Sequence, residues 1–172
     1  IFPFVGDSVG GSHQSIIELH KNLTKRNILS SIVVHKKGPL SLMLDDSEIK
    51  YIYLPIDTFA GESPNLFSIA YSIVKNFITI GRFIKNNNVS IVHGNDLRIN
   101  LTWSLPTKFS KATYVWHQRS LMSSSKLWRI SVVMADHFVA ISKFVYNSLP
   151  KNIPRSKKTL ILNPFNIKRQ YE

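Results

Sequence analysis

The residues best placed to do chemistry follow short apolar runs. The first such place is Phe4-Val5-Gly6-Asp7-Ser8-Val9-Gly10-Gly11-Ser12-His13, where an apolar stretch ends in a G-x-x-x-G-G turn and a helical pattern begins at once. That order leaves free backbone N–H groups at a helix N-terminus, which suits a phosphate or another anion. Gly10 and Gly11 have no Cβ to hold such an anion away from the main chain. The spacing is neither the dinucleotide G-x-G-x-x-G nor a P-loop, which needs Gly-Lys-Ser/Thr. A tight turn into a packed helix accounts for the glycines equally well.

Four later runs end in polar residues in the same way. Val92-His93-Gly94 leads to Asn95-Asp96, Val115-Trp116-His117 to Gln118-Arg119, Ile141 to Ser142, and Leu162 to Asn163. His117 can offer a hydrogen bond where a substrate develops charge, and Arg119 can face an anion, although either could serve structure or solvent instead. His93 lies inside its apolar run, which favours packing. Asp96 and Ser142 have the side chains of helix N-caps. Trp103 and Trp116 sit in apolar segments and read as packing residues. No metal-ligand spacing is present, and no serine–histidine–acid order stands out.

The elements that must position these residues alternate. Ile1 to Val5 reads as a strand, followed by a helix with Ile16, Leu19, His20 and Leu23 on one face, Ser12 as its N-cap and Asn27 as a left-handed cap. Ile28 to His35 and Ile49 to Leu54 read as strands, with Leu40 to Met43 between them open to either reading. Pro55 to Pro64 reads as a loop. A long helix then carries Leu66, Ala70, Ile73, Phe77, Ile80 and Ile84, and stops at Asn86-Asn87-Asn88. Val89 to His93 is a strand, Leu97 to Trp103 a helix broken near Pro106, and Ala112 to His117 a strand. Leu127, Ile130, Val133 and Met134 mark a helical face; His137 to Ile141 and Thr159 to Leu162 are strands flanking a helix over Lys143 to Leu149. Such alternation implies six or seven mostly parallel strands, the first of them central. That is an α/β, Rossmann-like doubly wound sheet with helices on both faces. Ligands of these sheets bind beyond the strands' carboxyl ends. The rule gathers Gly10, Gly11, Asn95, Asp96, His117, Arg119, Ser142 and Asn163 on one rim.

Composition bounds the partners. Twenty-two Lys and Arg against ten Asp and Glu give a formal net charge of +12, which favours anionic ligands, acidic saccharides or a lipid surface. Aromatics are interleaved with aliphatic residues rather than lysines, which counts against a base-stacking platform for nucleic acid. The absence of cysteine removes disulfides and thiolate metal sites and fits a reducing compartment. Leu66 to Ile84 contains Lys75, Asn76 and Arg82, so it reads as a helix packed on protein rather than a membrane span.

Taken in order, several motifs resemble the N-terminal domain of a GT-B glycosyltransferase of the retaining family 4 type. They are Gly10-Gly11 before the helix ending Leu23-Thr24-Lys25-Arg26-Asn27, Ser90-Ile91-Val92-His93 before Asn95, Tyr114-Val115-Trp116-His117, Ala135-Asp136-His137-Phe138-Val139-Ala140-Ile141-Ser142, and Leu162-Asn163-Pro164-Phe165-Asn166. They span nearly the whole chain. The resemblance implies that residues 1–172 are one acceptor-side domain, and that a C-terminal donor-binding domain is absent from this chain. The whole enzyme would transfer a sugar from a nucleotide-sugar to a saccharide or lipid-linked acceptor, in polysaccharide biosynthesis.

The same resemblance implies roles for the residues of the rim. Gly10 and Gly11 would face the donor's phosphates, His117 the reacting sugar, and Ser12, Asn95, Arg119, Ser142 and Asn163 the substrates. No metal or other cofactor is implied, because basic side chains and backbone dipoles would neutralise the leaving phosphate. The implied setting is cytoplasmic, with peripheral contact at the membrane's cytoplasmic face. Pro164 and Asn27 depart from the family's common glycines, and the family's donor-side carboxylates have no candidate here. The chain is therefore expected to fold but not to transfer sugar. The rival reading is a non-catalytic Rossmann-like module that binds a nucleotide or a partner.

Overall fold

The structure, a computed structural model, describes residues 1–56, 66–121 and 132–162, with the main chain alone for 66–70. Among the described residues seven strands and five α-helices follow in order: β1 (Phe2–Phe4), α1 (Gly11–Lys25), β2 (Ile32–Val34), α2 (Pro39–Asp46), β3 (Tyr51–Tyr53), α3 (Leu66–Asn86), β4 (Ile91–Gly94), α4 (Leu97–Lys108), β5 (Thr113–Gln118), β6 (His137–Ala140), α5 (Lys143–Ser148) and β7 (Lys158–Leu160). The expected site residue Asn163 lies outside the described residues. So do residues 57–64 of the expected loop, and Leu127 and Ile130 of the expected helical face.

Every strand pairing among the described residues is parallel, in the ladders β1-β2-β3 and β4-β5-β6-β7. The two ladders meet at Ile1. Its N–H donates to Ile91 O at 2.8 Å, and its carbonyl accepts from His93 N–H at 3.0 Å, the offset of a parallel pair. The strand order is thus β3-β2-β1-β4-β5-β6-β7, with β1 inside the sheet as the alternation predicts.

Strand periodicity sorts the core into two layers. Phe2, Phe4, Ile32 and Val34 pack with Ile16 and Ile17 of α1 and Leu40 and Leu44 of α2. Val5, Val33, Val92, Tyr114 and Trp116 pack on the other face with Ile80 and Ile84 of α3 and Ile99 and Trp103 of α4. Helices cover both faces, as a doubly wound sheet requires. The expected packing roles of Trp103 and Trp116 hold, since both are fully buried.

The structure settles one open segment and departs from local expectation in three places. The segment Leu40 to Met43 belongs to helix α2, started by Pro39 in its first turn and by Ser41 Oγ accepting from Gly38 N–H at 2.9 Å. Helix α4 runs through Pro106 to Lys108 instead of breaking there, because a proline in the last turn forfeits a single helical hydrogen bond. Strand β2 is shorter than its β-branched run; Leu29 stands fully in solvent at 101% relative exposure. The N-cap of α1 is Gly10, and Ser12 lies within the first turn. Asn27 and Asn88 take φ of 57° and 48° after α1 and α3, as the asparagine stops predict.

Candidate functional site

The loop after β1 is held by its surroundings at one end and open at the other. Gly6 has φ of +100°, and an added Cβ would strike Lys36 O and Val34 Cγ1, so the first glycine is required by the fold. Next to it Lys36 N–H donates to Val5 O at 2.8 Å, and Leu40 N–H to Gly6 O at 3.3 Å. Asp7 receives the Arg98 guanidinium from the start of α4. Gly10 and Gly11 differ from Gly6. A Cβ on Gly11 would meet nothing within 4 Å, and one on Gly10 would meet His13 Nδ1 at 4.0 Å. Nothing among the described residues requires glycine at either position.

The N-terminus of α1 is finished by a residue the sequence reading passed over. His13 turns back so that its Nδ1 accepts from Gly10 N–H at 3.0 Å, while its ring packs on Phe4 with centroids 4.7 Å apart. Burial holds the His13 pKa below its ordinary value, so the ring is neutral. Ser12 Oγ lies 3.4 Å from the same nitrogen.

Between β4 and β5 the strand register sets a second group. His93 aligns with Val115, which places His117 one step further along the same face. His93 Nε2 and His117 Nδ1 are 3.2 Å apart, with rings nearly parallel at 19°. Phe2 packs against the far side of the pair, its centroid 5.4 Å from that of His93. His117 is 9% exposed, and its Nε2 is buried without a hydrogen-bond partner among the described residues. Burial, followed by the charge of Arg119, lowers the His93 pKa to about 4 and that of His117 to about 3. Both rings are neutral at physiological pH.

Arg119 ties the groups together. It donates to Asn95 Oδ1 at 3.1 Å and to Ser15 Oγ of α1 at 3.1 Å. Asn95 is itself pinned by Nδ2 donating to His93 O at 3.1 Å. Burial lowers the Arg119 pKa to about 10, which leaves the guanidinium charged. Of the expected site residues, Asn95, Arg119 and His117 therefore belong to one network that reaches α1. Ser142 stands apart from it: Ser142 Oγ accepts from Val145 N–H at 3.1 Å and caps α5. Asp96 caps α4 in the same way, accepting from Arg98 N–H at 2.7 Å.

Sequence reasoning missed His13, Ser15, Arg98 and the partnership of His93 with His117. Parity along aligned parallel strands was the available signal for the last of these. The arrangement combines a helix N-terminus, a half-buried cation near it and a neutral imidazole with one nitrogen unpaired among the described residues, which suits a phosphorylated, hydroxylated ligand. Among the described residues no cluster of three or more histidines and carboxylates could hold a metal ion.

The two-faced parallel sheet, with its polar rim at the strand carboxyl ends, defines a Rossmann-like doubly wound domain. The chain is similar to the lipopolysaccharide outer core galactosyltransferase WaaB in its apo form, with a TM-score of 0.71 and 19% identity over 98% of this chain and 47% of that one. It is also similar to HepE from Anabaena in complex with UDP and glucose, with a TM-score of 0.69 and 15% identity over 95% of this chain and 44% of that one. A UDP-N-acetylglucosamine 2-epimerase superposes at a TM-score of 0.69 and 17% identity, over 92% of this chain and 46% of that one. The chain spans less than half the length of each of these proteins. No family profile and no curated protein sequence matches it.

Proposed function

We propose that this chain is the acceptor-side domain of a retaining, family 4-type GT-B glycosyltransferase, which moves a sugar from a nucleotide-sugar to a saccharide or lipid-linked acceptor. One observation carries the reading. Among the described residues nothing requires glycine at Gly10 and Gly11, which open a 15-residue helix on the rim, and nothing there pairs with the buried Nε2 of His117. Space without a Cβ at a helix N-terminus admits a diphosphate to the backbone N–H groups. Arg119, fixed by Asn95 and Ser15, adds positive charge beside it, which stabilises a departing phosphate without a metal. His117 then faces the transferring sugar. Ser12, Ser142 and Asn163 complete the substrate contacts.

The opposite wall of the cleft, with most of the nucleotide contacts, belongs to a donor-binding domain outside these residues. A neutral rim group alone gives little rate, so residues 1–172 hold substrate without turning it over. The charge of +12 favours an acceptor bearing phosphate or acidic sugars, met at the cytoplasmic face of the membrane. No helix among the described residues is long and apolar enough to cross one.

The test offers the full-length protein and the isolated chain a panel of nucleotide-sugars with candidate acceptors, and identifies the products by mass. Transfer by the full-length protein and none by residues 1–172 supports the reading. Epimerised sugar-nucleotide with no transfer assigns the fold to the epimerase chemistry of its other structural neighbours. Nucleotide binding with no product at all favours a non-catalytic module.

A further inference from the structure

The contact between His93 and His117 has a consequence for how His117 meets its ligand. A neutral imidazole carries one proton on one of two nitrogens, and the hydrogen bond at one nitrogen decides the state of the other. His93 Nε2 and His117 Nδ1 face each other at 3.2 Å, so one proton lies between them. Two arrangements satisfy that contact. In one, His93 donates and His117 Nε2 carries an N–H; in the other, His117 Nδ1 donates and Nε2 is a bare acceptor.

One observation separates them. His117 Nε2 is buried with no hydrogen-bond partner among the described residues, and an orphaned buried N–H is rarer than an under-satisfied acceptor, as backbone groups show. We infer that His93 is a positioning residue for His117: it accepts the Nδ1 proton of His117 and so leaves Nε2 bare, as an acceptor for a hydroxyl of the bound sugar. This rests on the reading that His117 faces the sugar, and it reverses the donor role expected from the sequence. Phe2, packed against His93, keeps that ring from turning away. Burial of Nε2 means that the hydroxyl reaches it only as the rim rearranges, so the contact forms with binding.

The experiment reads the two nitrogens of His117 directly, by long-range proton–nitrogen correlation spectra of the 15N-labelled chain at pH 7.5. The expected result is a protonated Nδ1 and a bare Nε2. His93→Phe should abolish that single state, and His93→Gln, whose Oε1 can accept the same proton, should restore it. A protonated Nε2 in the unaltered protein, or an unchanged His117 signal in His93→Phe, overturns the inference. These spectra need no substrate, so their outcome is independent of whether the protein is a transferase. In the full-length enzyme, His93→Phe should lower kcat about tenfold with KM for the nucleotide-sugar unchanged, the effect of losing the one hydrogen bond that His93 positions. The same change in a His117→Ala background should cost nothing further. An equal loss in both backgrounds would make His93 merely structural.

Discussion

Asp7, in the loop after β1, is gripped by both ends of the Arg98 guanidinium, at 2.6 and 2.9 Å, from the first turn of α4. The pair spans the gap between β1 and β4 and ties the glycine loop to the opposite face of the sheet. Its side chains remain 34% and 41% exposed, so solvent screening keeps its share of global stability below about 1 kcal/mol. Its effect should be local. In Arg98→Ala, amide exchange over Gly10–His13 should quicken and KM for the nucleotide-sugar should rise several-fold, with Tm nearly constant. Unchanged exchange in that loop would remove the pair from any role at the site.

The glycines should separate folding from function. Gly11→Val places its side chain in open space, so unfolding in urea should shift by no more than about 0.5 kcal/mol, the usual range for surface changes. Transfer should nevertheless collapse, because the branched side chain stands where phosphate must approach. Gly94→Ala should do the opposite. Its Cβ would press on Tyr114 Oη and Asn100 Oδ1, which share a 2.7 Å hydrogen bond, and such overpacking costs about 1–3 kcal/mol. A destabilised Gly11→Val with normal transfer would reverse the assignment of the loop.

His117→Ala in the full-length enzyme should lower kcat/KM about tenfold, the loss of one hydrogen bond to the bound sugar. The far-ultraviolet circular dichroism should not change. Transfer at the normal rate by a folded variant would take His117 out of the site.

Acid should unfold the domain earlier than its carboxylates alone would. Burial lowers the pKa of His35 and of His93 to about 4, and that of His117 to about 3, from the ordinary 6.5. A histidine depressed in the folded state contributes stability that is present above its unfolded pKa and is lost as pH falls toward the folded value. Stability should therefore be flat above about pH 7 and decline from about pH 6.5. At pH 5 each buried ring should cost about 2 kcal/mol relative to neutrality. Urea melts at pH 7.5, 6 and 5 check this; equal midpoints at all three would show that these rings protonate freely in the fold.

The sheet was legible in the sequence because its evidence is periodic. Val5, Val33 and Val92 on one face, and Phe4 and Ile32 on the other, repeat at the spacing that a covered parallel strand demands. Turn chemistry gave Asn27 and Asn88, whose short amides tolerate the left-handed region. The capping of α1 was misread because Ser12 has the better side chain for the role, whereas the chain uses the ring of His13. Pro106 misled for a related reason: a helix breaker matters only when turns follow it. The rim rule placed Asn95, His117 and Arg119 at the strand ends, but it could not say that Arg119 reaches across to Ser15. Contacts between side chains 104 positions apart follow from packing rather than from any local pattern. The His93–His117 pair is intermediate, since strand register brings the rings together but no composition rule announces it.

The chain starts in the middle of its sheet, travels outward to β3, and returns across it through α3 to continue the other way from β4. Loops on the two sides of that return leave for opposite faces, and the crevice between them exists before any residue is chosen to line it. The socket is thus inherited from the path of the main chain, and its occupant is decided by a few side chains hung around the opening. Proteins sharing 15–19% of their residues with this one keep the same main-chain route.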